Sequence, residues 1–111
     1  MKAHAAVAAR AYQDEAKVAL ALTDLETVAI SEPLRATLLM LCSLTREHAV
    51  DADDMRAVLA AGASLDQIED ALAVCFSFNV LDRLADAFGF SVPGPDVFRN
   101  GAKYLLARGY R

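Results

Sequence analysis

The chain has 111 residues, enough for one domain with a modest core, and 56% of it is hydrophobic, with alanine dominant. A formal net charge of −4 and an isoelectric point near 5.0 exclude the basic footprint that nucleic acid or an anionic membrane requires. A small chain this apolar has more greasy surface than one compact monomer hides, so a homo-oligomer, dimer or higher, is expected.

In chain order, residues 2–12 read as an alanine-rich helix, with a break at Gln13–Asp14 and a second stretch to about Leu25. Ser31 suits an N-cap, with Glu32 and Pro33 in the first turn. Leu34, Leu38, Leu41 and Thr45 then continue one face to an end near Glu47. Asp51 caps a short helix with Asp53 and Asp54 in its first turn, an apolar side of Met55, Val58 and Leu59, and a stop at Gly62. Ser64 to Gln67 matches a capping box and opens a long helix ending at Gly89, on the order of 36 Å in length. Ser91-Val92-Pro93-Gly94-Pro95 reads as a rigid linker before a tail helix carrying Val97, Phe98, Tyr104, Leu105 and Leu106 and ending near Gly109. No segment reads as a strand, so the expected class is all-α. The expected division is a helical domain over 1–93 and a tail over 94–111 that packs on a neighbouring subunit.

No apolar run approaches the ~18–20 residues of a membrane span, Leu38–Leu44 among them. Arg10 and Asp14 interrupt the N-terminal stretch before a signal-peptide core forms, so no membrane partner and a cytoplasmic address are expected. Cys42 and Cys75 suit that compartment as reduced thiols.

The stretch Ile68 to Gly89 is the most informative. Ile68, Leu72, Cys75, Phe76, Leu84, Ala87 and Phe88 recur at helical spacing, and Asn79 and Arg83 fall on the same stripe. A guanidinium buried there needs a counter-group, because an unpaired buried charge is strongly destabilising. Arg83 is therefore expected inside a shared helical interior, locked to a carboxylate such as Glu32 or Glu47. The alternative is that Asn79 and Arg83 line a pocket for a small anionic or carbonyl ligand.

Other chemistry-bearing residues are few. Cys42 and Cys75 act as a redox pair if their helices face each other, and otherwise as two inert buried thiols. His48 follows Arg46 and Glu47 at a helix end, where an imidazolium complements the dipole. No H-x-x-H, H-x-x-x-H or C-x-x-C occurs, and the Asp51/Asp53/Asp54 group lacks the glycine and terminal glutamate of a calcium loop. Neither a metal nor a cofactor is expected. There is no glycine-rich phosphate loop and no nucleophile elbow.

The segments SLTREHAV, AAGASLDQIEDAL and CFSFNVLDRLADAFGF, in that order, resemble the carboxymuconolactone decarboxylase / AhpD-like superfamily, closest to its peroxidase-related branch. The resemblance covers about residues 4–93 and rests on Phe78, Asn79, Arg83, Ala85, Asp86 and Gly89 with their spacing. It implies an AhpD-like antiparallel bundle, oligomeric, with the 65–88 helix central. It also implies peroxide-reducing chemistry by a Cys-x-x-Cys-x-x-x-His motif, in which one thiolate attacks the peroxide and the second resolves it. His4 falls where the motif histidine would lie, and neither motif thiol is in this chain. Two expectations follow: the pair lies upstream of Met1 in a longer protein, or a short member kept the scaffold without the chemistry. By resemblance only His4 carries over, and Cys42 and Cys75 substitute for the missing pair if their helices face each other; the catalytic candidates are therefore His4, Cys42 and Cys75, with little or no peroxidase activity expected from this polypeptide alone. The competing readings are a non-catalytic helical oligomer or accessory subunit, and a non-redox decarboxylase-like enzyme.

Overall fold

Glycine, proline and short polar caps set many of the helix limits in this computed structural model, which describes residues 2–109. Among those residues there are six helices and no strand: α1 (Lys2–Tyr12), α2 (Glu15–Thr23), α3 (Glu32–Glu47), α4 (Ala52–Ala60), α5 (Leu65–Ala87) and α6 (Pro95–Arg108). The all-α expectation holds. Met1, on which the question of an upstream segment turns, lies outside the described residues.

The caps follow the side chains that sequence placed there. Asp14 opens α2 by accepting the Lys17 amide at 2.8 Å. Asp51 and Asp54 form a reciprocal capping box on α4, and Ser64 and Gln67 form another on α5. Three helices end alike. At each of these ends one amide reaches back five residues while the amide before it closes a tighter turn: Asp14 to Ala9 and Gln13 to Arg10, Ala63 to Val58 and Gly62 to Leu59, Phe90 to Ala85 and Gly89 to Asp86. This Schellman geometry needs a left-handed residue at the turn, and Gln13 (φ 53°), Gly62 (φ 93°) and Gly89 (φ 64°) supply it. His48 occupies the C-cap position of α3 in the same left-handed region (φ 57°).

The helices fall into two units. The first comprises Met1–Ala29 with Ser91–Arg111. In it α1 packs on both α2 and α6. The tail expected on a neighbouring subunit thus lies against α1 of its own chain, and the expected boundary at 93/94 does not separate it from residues 1–29. Small side chains permit that approach: α1 is alanine-rich and Ala102 of α6 is buried.

The second unit is Ile30–Phe90, in which α3 packs on α4 and α5. Its core is Met40, Val58, Ala63 and Ile68, flanked by partly buried Leu41, Val50, Met55 and Leu72. The Ser43 hydroxyl donates to Asp54 Oδ1 at 3.2 Å, tying α3 to the first turn of α4. Thr37 is satisfied within its own helix, its hydroxyl donating to the Pro33 carbonyl at 2.8 Å. Fully burying one large apolar side chain is worth about 1.5–3 kcal/mol, so a core this small leaves little margin.

Met40 is 1% exposed; Met40→Ala is expected to lower the unfolding free energy by about 2–5 kcal/mol. Ser64→Ala, which removes one half of the α5 capping box, should cost about 1 kcal/mol. Urea denaturation measures both, and an unchanged midpoint for Met40→Ala would contradict this core.

Candidate functional site

α5 is 23 residues long, ~35 Å, whereas its packing partner α3 has 16 residues, ~24 Å. The sequence of α5 changes character part-way along its length. At ~100° per residue, Ile68, Ala71, Leu72 and Cys75 share one sector, and all are buried or half-buried. Followed towards the C-terminus, the same sector carries Asn79, Asp82, Arg83 and Asp86, all exposed. The opposite sector inverts this order. It begins with Asp66, Glu69 and Asp70 and continues as Phe76, Val80, Leu81, Leu84 and Phe88.

The second apolar face is open to solvent: Phe76 is 71% exposed, Leu81 58% and Phe88 70%. Beyond Gly89 the chain turns so that the Phe90 ring stacks on Phe88, with centroids 6.0 Å apart and planes at 23°. Phe90 is also largely exposed, which extends the apolar surface past the end of the helix. Contiguous apolar patches larger than a few hundred Å² are rare on monomers and mark interaction surfaces.

This inversion corrects the expectation for Arg83. Read as a single stripe, α5 places Arg83 in line with Ile68 and Leu72. In the structure that line has left the core by Asn79, and Arg83 is exposed. The expected lock to Glu32 is likewise replaced, because Glu32 pairs with Arg35 on its own helix at 3.1 Å. Asn79 is exposed and bonded locally, its Nδ2 donating to the Cys75 carbonyl at 2.9 Å and lying 3.5 Å from Cys75 Sγ.

The thiol candidates lie in the second unit. Cys42 on α3 and Cys75 on α5 are both half-buried and free, not joined in a disulfide. His4 is exposed on α1, in the first unit. Cys75 and Asn79 are the two sequence candidates that the structure shows in direct contact. Among the described residues no group of three or more His, Cys, Asp or Glu gathers as a metal would need, and no helix is long and apolar enough to cross a membrane.

The first unit contains an open groove of about 670 Å³ between α1, α2 and the start of α6, with Ala9, Val18, Leu22, Pro95 and Phe98 on its walls. The volume suits a small organic molecule. None of His4, Cys42, Cys75, Asn79 or Arg83 lines it. Comparison with family models, with curated proteins and with solved structures found no match for this chain.

The exposed face of α5 is what the single-stripe reading missed. The signal was available: dividing the helical pattern at Cys75 shows the apolar sector changing sides. Because Arg83 is exposed, Arg83→Ala is expected to change stability by no more than about 0.5 kcal/mol. Breaking a buried ion pair would instead cost about 3–5 kcal/mol. Denaturant unfolding separates the two values.

Proposed function

We propose that this chain is a helical assembly subunit of the AhpD-like kind, which works as a homo-oligomer in the cytoplasm and has little or no thiol-peroxidase turnover of its own. The observation that carries the proposal is the second apolar face of α5. Phe76, Leu81, Leu84 and Phe88 are large side chains on one surface of a helix whose opposite surface already serves the core of its unit. Covering them removes apolar area from water at roughly 25 cal/mol per Å², a driving force that this small core needs.

The AhpD-like part of the reading is supported by the spacing of Phe78, Asn79, Arg83, Ala85, Asp86 and Gly89, and by the all-helical fold. The restriction on activity is supported by the cysteine inventory. A two-thiol peroxide cycle needs an attacking thiolate and a resolving partner within disulfide reach. The chain has two cysteines, no C-x-x-C, and both thiols are free on separate helices. A cytoplasmic address agrees with that free state.

The test is light scattering coupled to gel filtration, together with peroxide consumption in the presence of a dithiol reductant. The wild-type chain is expected to run as a dimer or higher oligomer, and a Phe76→Ser/Leu84→Ser variant as a monomer that retains its helical circular-dichroism spectrum. Peroxide consumption should equal that of the reductant alone. A monomeric wild type would reject the assembly reading, and turnover lost in Cys42→Ser or Cys75→Ser would reject the restriction on activity.

A further inference from the structure

Within the exposed face of α5, one narrow line of residues has an internal symmetry. Ala73, Phe76, Val80, Leu84 and Ala87 lie within one narrow sector of the helix, and every one of them is exposed. Their order is small, large, intermediate, large, small. Their spacing along the chain is three, four, four and three residues, so the pattern reads the same in either direction from Val80. A surface that is its own mirror in sequence order matches a two-fold axis, which sets position i of one copy against position j of the other and j against i.

Resting on the assembly reading above, we infer that the covering partner is a second copy of this chain, its α5 antiparallel to the first and related by a two-fold axis through Val80. That register sets Val80 against the partner's Val80, Phe76 against the partner's Leu84, and Ala73 against the partner's Ala87. Alanine facing alanine at both ends lets the helices approach to the ~8–10 Å of close packing, while the two aromatic–aliphatic pairs fill the space between.

The charges allow this register. Asp82 and Asp86 lie on the far side of the helix from the stripe. The acidic residues Asp66, Glu69 and Asp70 precede the paired stretch, and in this register they fall opposite the region past Gly89, where α5 has ended. No carboxylate is set against another. Arg83, at the edge of the stripe, comes alongside the partner's Asn79, whose amide nitrogen is already occupied by the Cys75 carbonyl and whose oxygen is an acceptor. The two polar residues that interrupt the sequence pattern thereby border the interface on the same edge.

Site-directed cross-linking tests the register separately from the oligomeric state. In full-length chains with Cys42→Ser and Cys75→Ser, Val80→Cys sits on the axis and is expected to form a disulfide-linked dimer under mild oxidation. Val74→Cys, displaced from its own copy by roughly 18 Å along the helix, should stay unlinked. Phe76→Cys mixed with Leu84→Cys should give a hetero-linked dimer. Circular dichroism confirms that each variant is folded, and light scattering on the reduced proteins reports assembly. An oligomer that links through Val74→Cys and not Val80→Cys overturns this register and leaves the assembly reading standing. Reduced variants and wild type that are monomeric at all concentrations overturn both.

Discussion

One helix cannot bury two opposite faces in a single small core, and α5 has two. Its early turns present Ile68 and Leu72 to the core of their unit, while Phe76, Leu84 and the C-cap Phe88 face the other way, exposed. The inversion is written into the chain as a change in which sector is apolar, and the hydrophobic effect acts on that change without regard to helix continuity. Everything proposed about assembly depends on it. A helix whose apolar sector stayed in place would be an ordinary core helix, and its end would carry no message about a partner.

The remainder of the second unit is economical. α3 and α4 are joined by the Ser43–Asp54 hydrogen bond, and α4 ends where Ala63 folds back to the Val58 carbonyl, bringing two of the four core residues together through a helix cap. The same cap aims the chain into the Ser64 box and so fixes where α5 starts. Capping and core formation are thus one event at this corner. The surface ion pairs Arg56–Asp53 and Arg99–Asp96 are exposed single-turn pairs, each worth a few tenths of a kcal/mol, and they do not decide the fold.

Much of this architecture was legible in sequence because its signals are local. The Ser31 start, the Asp51 and Ser64 caps, the break at Gln13–Asp14 and the stops at Gly62 and Gly89 each depend on a few neighbouring residues. What was misread depends on longer range. The placement of Arg83 in a shared interior came from treating 68–88 as one stripe, which averages two opposed faces into one. The packing of α6 on α1 joins segments some ninety residues apart, on the order of the whole chain, and no local pattern announces such a contact. Of the site candidates, the Cys75–Asn79 contact is the kind of one-turn neighbour that helical spacing implies.

The central claim is that the C-terminal half of α5 is covered by a partner in solution. Hydrogen–deuterium exchange of the amides from Phe76 to Phe88, followed as a function of protein concentration, addresses it most directly. Protection in this stretch is expected to rise with concentration, while that of the Met40 and Val58 core segments changes less. Exchange in Phe76–Phe88 that is fast and independent of concentration would contradict the account.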